Sequence, residues 1–307
     1  MDSAYRLTAV DVLQLVDIRT KIVSVSSFAI GSAWAVAERH AFAPAAFALM
    51  LAATLCVDMG TTAFNSYYDF LHGVDRRDTD VEAWKALVQR PIAPGVARAI
   101  AWMMFATAAA LGLALGALVD WRVVGVGAAC MAVGLLYSAG PFAIARFPVG
   151  EAFAGGLLGL VLIALSAYVQ GAVPTAAVAW LGLPSSTLIA TILSVNNACD
   201  RAGDERAGRQ TLGILLGASG AARAILLQAA LTLVLALALV PLGTLPRAAL
   251  VPIAVAGAFG ARTLARMHRR GYSAATKAAA MGGISAVFVA YTLAILAGIA
   301  MRAWGWP

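Results

Sequence analysis

The chain has 307 residues, of which 62% are hydrophobic and only 12% are charged. Soluble globular domains are about half apolar and about a quarter charged. The composition therefore excludes a soluble domain and indicates a protein that crosses a lipid bilayer several times. In such a protein the net charge of +7 reflects how the loops are arranged about the membrane, and we do not expect nucleic acid binding.

Nine apolar runs follow one another along the chain, and most approach the length needed to cross a bilayer. They span roughly 22–37, 42–66, 96–118, 122–138, 150–170, 173–198, 219–242, 247–265 and 279–301. These runs are too long and too apolar for the strands of a membrane barrel, so we expect helices. The prediction is an all-α, polytopic membrane protein with nine transmembrane helices, in which residues 1–307 form a single domain.

Lys and Arg are distributed unevenly over the loops between these runs. If the loops alternate between the two sides, only Arg39, Arg122, Arg247 and Arg302 fall on one side, out of 22 Lys and Arg in the chain. Cytoplasmic loops are enriched in Lys and Arg, so this pattern predicts a cytoplasmic N-terminus and an external C-terminus in a cell membrane. The two long loops, near 67–95 and 199–218, then both face the cytoplasm.

Two acidic motifs follow the second and the sixth apolar run. Each combines an asparagine with spaced aspartates: Asn65, Asp69 and Asp75 in the first motif, and Asn196, Asp200 and Asp204 in the second. Carboxylates in such numbers repel one another unless a cation lies between them. Mg²⁺ usually binds through one or two carboxylates plus substrate phosphates, so it is the expected cation.

The spacing of the motif residues places them on one face of each helix. Asp58, Thr62, Asn65 and Asp69 are spaced by four, three and four residues along the chain, which is the spacing of neighbours on a helix surface. A charged Asp at the centre of a bilayer costs about 2.5–3.5 kcal/mol, so we expect the polar stripes to face each other across a cavity. The alternative is that the motifs are helix caps and loop charges in contact with solvent.

Basic side chains near the motifs predict which substrate group the metal would hold. Guanidinium and ammonium groups beside Mg²⁺ suit a diphosphate. The predicted substrate-binding residues near the motifs are Arg90, Arg209, Arg201 and Lys85. The alternative for these residues is a topological or interfacial role. At the level of function, the alternative is a transporter that uses the acidic stripes as an ion path.

Several motifs resemble those of the UbiA superfamily of intramembrane prenyltransferases. The resemblance rests on Asn-x-x-x-Asp after the second run, RPIAPG starting at Arg90, and NNxxDxxxDxxxGRxTL after the sixth run. Within the superfamily, the step from Asp69 to Asp75 and the YSAGP that starts at Tyr137 are similar to the 1,4-dihydroxy-2-naphthoate polyprenyltransferases of menaquinone synthesis. Cys199 departs from that branch, which often has Arg at this position.

The resemblance implies a helical bundle around a central cavity that opens to the cytoplasmic side. The residues that it implies for holding Mg²⁺ against a polyprenyl diphosphate are Asp69, Asp75, Asp200 and Asp204, with Asn65 and Asn196 joining Asp69 and Asp200 as catalytic residues. The allylic C–O bond would ionise and an electron-rich aromatic acceptor would attack the carbocation. The rings of Tyr68 and Tyr137 would face this cation, with anchoring at the membrane interface as the alternative. Arg19 and Lys21 would bind the diphosphate or an aromatic carboxylate, with a position at the membrane surface as the alternative. The alternative acceptors are another quinone precursor, a porphyrin-type ring and a lipid phosphate.

Overall fold

The computed structural model describes residues 6–75, 84–140 and 142–307, and every regular element in these ranges is helical. The α-helices, numbered in chain order, are α1 Ala9–Leu15, α2 Ile22–Arg39, α3 Pro44–Leu71, α4 Ala86–Gln89, α5 Pro94–Leu118, α6 Arg122–Ser138, α7 Gly150–Gly155, α8 Leu162–Val169, α9 Ala176–Arg206, α10 Leu212–Ala238, α11 Leu250–Arg270 and α12 Lys277–Ala303. Short 3₁₀ turns occur at Ile18–Lys21, Ile144–Arg146 and Arg247–Ala249, and a π-helical segment, Gly156–Val161, joins α7 to α8.

Eight helical segments in the described part of the chain are long and apolar enough to cross a membrane. They are Ile18–Arg39, Pro44–Leu71, Pro94–Leu118, Gly150–Val169, Ala176–Arg206, Leu212–Ala238, Arg247–Arg270 and Lys277–Ala303. The fourth predicted run coincides with α6, which is apolar but only 17 residues long. The chain is thus an all-α, multi-pass membrane protein, and its ninth crossing stays a prediction.

Helices α3 and α9 continue beyond the apolar runs that predicted them. The loops were expected to begin near residues 67 and 199, but α3 ends at Leu71 and α9 at Arg206. The expectation was wrong because the polar residues that follow each apolar run contain no proline, and the single glycine among them, Gly203, does not end α9. As a result, most of the motif side chains project from helix ends rather than from loops.

The same backbone arrangement ends both helices. Gly73 and Gly208 adopt positive φ angles of 68° and 72°, which glycine tolerates and other residues resist. The amide after each glycine donates to the carbonyl oxygen of Asp69 in α3, at 2.9 Å, and of Asp204 in α9, at 3.0 Å. This is the Schellman type of helix end, and it fixes the backbone of one aspartate in each motif.

The π-helical segment packs directly on α9. A Cβ atom added at Gly155 would lie 2.3 Å from the carbonyl oxygen of Ser186, and one added at Gly159 would lie 2.5 Å from the Cα of Ser186. Small residues allow two membrane helices to approach this closely. The contact fixes α7, the π-helical segment and α8 against the helix that carries the second acidic motif.

Candidate active site

A cavity of about 1530 Å³ lies inside the bundle, with α3, α5, α6, α9, α12 and the π-helical segment among its walls. Both acidic motifs line it at one end, whereas the rest of its wall is mainly Val, Leu, Ala and Met. The predicted site residues on its lining are Asn65, Asp69, Asp75, Asn196, Asp200, Asp204, Arg19, Lys85, Arg201, Arg209 and Tyr137. The structure therefore brings the two motifs, which are distant in sequence, to one space.

The first motif is held by contacts with two neighbouring segments. Asn65 donates from Nδ2 to the hydroxyl oxygen of Ser138 on α6, at 3.2 Å. Lys85 donates from Nζ to both carboxylate oxygens of Asp75, at 2.9 and 3.0 Å. Asp75 is buried and Lys85 is partly exposed, so a basic residue from the segment before α4 neutralises a carboxylate beyond the end of α3.

Arg209 joins the two motifs. Its guanidinium donates to Asp69 of the first motif and, at 3.1 Å, to Asp204 of the second. All three side chains are largely buried. Burial lowers the pKa of Arg209, but the carboxylates of Asp69 and Asp204 raise it by more, so this pKa lies above the ordinary value of arginine. The guanidinium is a permanent cation between two acidic helix ends.

The second motif has a cationic partner that we did not predict. Lys277, at the start of α12, donates from Nζ to Asp200 at 2.7 Å, and Asn196 donates from Nδ2 to the same oxygen at 3.2 Å. Lys277 also lines the cavity. The sequence showed Lys277 only as one of several basic residues before the last apolar run. Nothing in that pattern indicates that it meets a motif 77 residues away.

Asn197 contacts a different element from its neighbour Asn196. Its Nδ2 donates at 2.9 Å to Glu151, a buried residue in the first turn of α7. The contact ties the second motif to the helix that leads into the π-helical segment. The two neighbouring asparagines therefore have different roles. Asn196 contacts Asp200 within α9, whereas Asn197 connects α9 to Glu151 of α7.

The residues around the cavity fit Mg²⁺ that arrives together with a diphosphate. Within the described residues, no group of three or more His, Cys, Asp or Glu side chains lies close enough to hold a metal ion. The four carboxylates of the two motifs nevertheless face one cavity, and Oδ2 of Asp204 has no hydrogen-bond partner in the described part of the chain. Mg²⁺ prefers oxygen ligands and needs only one or two carboxylates plus substrate phosphates, so this donor set suits it.

The structure does not bring three of the predicted substrate-binding residues to the cavity lining. Arg90 donates to Asp11 of α1, a fully buried carboxylate. Tyr68 packs between Phe64 and His72, among the apolar side chains beside α5. Their positions result from packing with elements whose proximity the sequence did not reveal.

Lys21 is the third of these residues. It is only 4% exposed, which also excludes the alternative that it reaches the membrane surface. Its ammonium contacts Asp58 and Thr62 on α3. A carboxylate on the neighbouring helix therefore neutralises a lysine that was expected to bind an anion.

The remaining predicted residues lie at the mouth of the cavity. The guanidinium of Arg19 stacks over the ring of Trp84 at 4.2 Å and pairs with Asp17 at 3.2 Å. Arg201 lies 3.9 Å from Glu205, one helical turn away. Arg76 and Arg77, two further basic residues after the first motif, lie outside the described residues.

The sequence matches the UbiA prenyltransferase family over residues 24–288, a stretch that holds both acidic motifs. The chain belongs to this family. It is therefore a transferase, and the transporter hypothesis was wrong.

A curated relative is the 1,4-dihydroxy-2-naphthoate octaprenyltransferase of Bacillus subtilis (strain 168), which is 33% identical over 175 residues. The match covers 57% of this chain and 56% of that enzyme. The chain thus spans little more than half the length of this relative.

Two solved structures share the fold. A UbiA homologue from Archaeoglobus fulgidus bound to DMAPP and Mg²⁺ gives a TM-score of 0.66 at 20% identity, covering 94% of this chain and 99% of that chain. The apo structure of a UbiA homologue from Aeropyrum pernix K1 gives a TM-score of 0.65 at 22% identity, covering 91% and 97%. These likenesses show that the chain has the UbiA-like fold.

Proposed function

We propose that the enzyme transfers a polyprenyl group, with Mg²⁺, from a polyprenyl diphosphate to 1,4-dihydroxy-2-naphthoate, which loses its carboxylate, as in menaquinone synthesis. The observation that carries the proposal is that both acidic motifs and their basic partners line one cavity with a largely apolar wall. The name of the Bacillus subtilis relative supports the acceptor. The DMAPP and Mg²⁺ bound to the Archaeoglobus fulgidus homologue support the donor class and the metal.

The basic residues of the site bind the diphosphate. In the structure, Arg209, Lys85 and Lys277 neutralise the motif carboxylates. When a diphosphate enters, these cations turn to its oxygens, where an arginine fork and ammonium groups form charge-assisted hydrogen bonds. The negative charge that develops on the leaving group is then stabilised by groups already in place, which lowers the barrier to breaking the allylic C–O bond.

The carboxylates of both motifs hold the metal. The proposed ligands are Asp69, Asp75, Asp200 and Asp204, while Asn65 and Asn196 keep the motif residues oriented through Ser138 and Asp200. Bound Mg²⁺ would neutralise part of the charge on the diphosphate. The aspartates pair with Lys85, Arg209 and Lys277 in this structure, and bound Mg²⁺ would compensate their charge once these cations contact the diphosphate.

The apolar part of the cavity keeps water from the carbocation. Its wall is formed by side chains such as Val57, Met131, Leu157 and Leu193, and the ring of Tyr137 lines it near the motifs. A hydrocarbon tail fits such a wall, and an aromatic face stabilises a nearby positive charge. The isoprenoid tail therefore lies in this part of the cavity, and the aromatic acceptor enters between the tail and the motifs.

We also propose nine crossings, with the N-terminus and the mouth of the cavity on the cytoplasmic side of a cell membrane. The uneven distribution of Lys and Arg supports this topology, as does the apolar character of α6. A reporter fused after Pro307 should be detected outside, and one inserted near Asp80, beyond the described residues, should be detected in the cytoplasm. Detection of both on one side would overturn the topology.

The function in cells is tested by expression in a host that cannot prenylate the naphthoate. Restored menaquinone would support the proposal. If the protein is present in the membrane, menaquinone is absent and the purified enzyme prenylates a different acceptor, the acceptor assignment is wrong while prenyl transfer stands.

A further inference from the structure

A second polar cluster lies beside the cavity, away from the acidic motifs, and reaches the cavity lining through Asp58 and Thr62. Asp58 of α3 accepts a hydrogen bond from Lys21 on Oδ1, at 2.5 Å, and from the hydroxyl of Ser24 on Oδ2, at 2.6 Å. Lys21 also donates to the hydroxyl oxygen of Thr62, at 2.8 Å. Charged groups within a membrane-spanning bundle are costly and usually functional. The reaction proposed above assigns no task to this pair.

The cluster lies deeper in the cavity than the diphosphate site. Asp58 and Asp69 are eleven residues apart on α3, which corresponds to about 16 Å along the helix axis at about 1.5 Å per residue. Asp58, Thr62, Asn65 and Asp69 all line the same cavity. The distance between the two ends of this stripe leaves room for a metal-bound diphosphate and one aromatic ring.

The chemistry of the cluster is that of a hydrogen-bond acceptor. The ammonium of Lys21 directs its three hydrogens at Asp58 Oδ1, Thr62 and the Asp58 carbonyl oxygen, so it offers little to an anion. A carboxylate has about four acceptor positions, and Oδ2 of Asp58 accepts only from Ser24 among the described residues. The cluster therefore suits an O–H donor rather than a carboxylate or a phosphate.

Thr54 gives an independent sign that a polar ligand group binds here. It lies one helical turn from Asp58, lines the same cavity and is only 9% exposed. Its hydroxyl has no hydrogen-bond partner in the described part of the chain. A buried polar group without a partner is costly, and a ligand hydroxyl between Thr54 and Asp58 would satisfy both. The wall around them includes Val23, Val57 and Met50, so the ligand hydroxyl belongs to an apolar body.

We propose that Asp58 binds the 4-hydroxyl of the aromatic acceptor and that Lys21 is the positioning residue that holds the carboxylate in place. This inference rests on the proposed function. The 1-hydroxyl of 1,4-dihydroxy-2-naphthoate is adjacent to its carboxylate and hydrogen-bonds to it, whereas the 4-hydroxyl needs a partner from the protein. The acceptor then spans the cavity with its carboxylate towards the basic residues and its 4-hydroxyl towards Asp58.

This hydrogen bond also acts on the reaction itself. The ring attacks the allylic carbon with an electron pair, the C–O bond of the donor breaks, and the diphosphate leaves with that bond's electrons. The positive charge on the ring spreads to the 1-hydroxyl oxygen, which is ortho to the attacked carbon, until the carboxylate leaves as CO₂ and returns its bonding pair to the ring. The 4-hydroxyl is meta to the attacked carbon and keeps its proton throughout, and the negative charge of Asp58 stabilises the positive charge of the ring through space.

The test compares the affinities of two probes for the wild type and for a variant without the Lys21–Asp58 pair. The probes are 1,4-dihydroxy-2-naphthoate, measured by its KM, and 1-hydroxy-2-naphthoate, which lacks the 4-hydroxyl and is measured by its inhibition constant. The variant Lys21→Met/Asp58→Leu replaces a buried ion pair with apolar residues of similar size, which is often neutral for folding. A hydrogen bond to a charged group contributes about 1.5–3 kcal/mol, so we expect the wild type to favour the dihydroxy probe by about tenfold or more.

In the double variant the ratio of the affinities for the two probes should fall to nearly one, while the KM of the polyprenyl diphosphate stays unchanged. Asp58→Asn, measured in parallel, should reduce the preference in part, and it decides the question if the double variant does not fold. A control variant, Glu38→Gln/Arg302→Met, removes an ion pair at the surface and should leave the preference intact.

Two results would overturn this inference and leave the proposed function intact. One is equal affinity of the wild type for both probes, and the other is a preference for the dihydroxy probe that survives the loss of Asp58. If the wild type turns over a different aromatic acceptor but not the naphthoate, the proposed function is wrong, and the inference about the 4-hydroxyl falls with it.

Discussion

Asp69 and Asp204 lie on different helices and share one guanidinium, that of Arg209. Each of these aspartates occupies the same place in its helix end, because the amide after the following glycine closes on its carbonyl oxygen. Arg209 therefore joins two rigid points of the bundle. The cation between the two motifs in this structure is therefore a protein side chain, the guanidinium of Arg209.

The first prediction concerns Arg209→Met. Removing one partner of a buried ion pair leaves an uncompensated charge and typically costs about 3–5 kcal/mol, so we expect the variant to have a clearly lower unfolding temperature in detergent. Added Mg²⁺ should restore more stability to the variant than to the wild type, because it replaces the lost cation. Arg223→Met, at an exposed site on α10, is the control. Equal stability of variant and wild type without Mg²⁺ would contradict the account.

The second prediction concerns the metal ligands. Asp69→Ala and Asp200→Ala should each reduce turnover by at least about 10²–10³-fold, the usual effect of losing a charge-stabilising group. Asp69→Glu and Asp200→Glu should also be poor enzymes, because Mg²⁺ requires near-ideal geometry at short distances. Glu205→Ala, at an exposed carboxylate beside Asp204, should be close to normal. Normal turnover by a folded Asp69 or Asp200 variant would exclude that residue as a ligand.

A third prediction follows from the contact between Lys277 and Asp200. Lys277→Met should raise the KM of the polyprenyl diphosphate by about tenfold or more, since charge-assisted hydrogen bonds contribute about 1.5–3 kcal/mol. The KM of the acceptor should change little, and Lys277→Arg should recover part of the loss. Arg270→Met, at an exposed position at the end of α11, provides the comparison. A change confined to the acceptor KM would show that Lys277 serves the other substrate.

Packing of the π-helical segment gives a fourth prediction. Gly159→Ala places a Cβ atom 2.5 Å from the backbone of Ser186, and overpacking of this kind costs about 1–3 kcal/mol. Gly156→Ala, three residues earlier, meets no described atom within 4 Å and should be neutral or slightly stabilising, because Ala favours helices. Unfolding temperatures of the two variants can be compared directly. Similar values would mean that the contact with α9 is not tight.

Much of the fold could be predicted because membrane helices appear in the sequence as apolar runs. The run predicted at 122–138 coincides with α6, and the run at 96–118 differs from α5 by only two residues at its start. The ends of α3 and α9 could not be predicted from apolarity, because their last turns are polar. There the stop signals are Gly73 and Gly208.

The members of the site were easier to predict than their partners. Residue type and helical spacing indicated Asp69 and Asp200, because a charge within an apolar helix stands out. Which cation contacts which carboxylate depends on how helices that are distant in sequence pack together, and a single sequence does not reveal this packing. Lys21 therefore forms an ion pair with Asp58 rather than with a substrate anion, and Lys277 forms one with Asp200 of the second motif.

The most direct test of the central claim is the acceptor preference of the purified enzyme. The protein is incubated with Mg²⁺ and a labelled polyprenyl diphosphate, and with 1,4-dihydroxy-2-naphthoate, 4-hydroxybenzoate or homogentisate, and the products are identified by mass spectrometry. We predict that the naphthoate gives the main product, prenylated and without its carboxylate, and that chelation of Mg²⁺ stops the reaction. Preferred prenylation of 4-hydroxybenzoate or homogentisate, or full activity without Mg²⁺, would contradict the account.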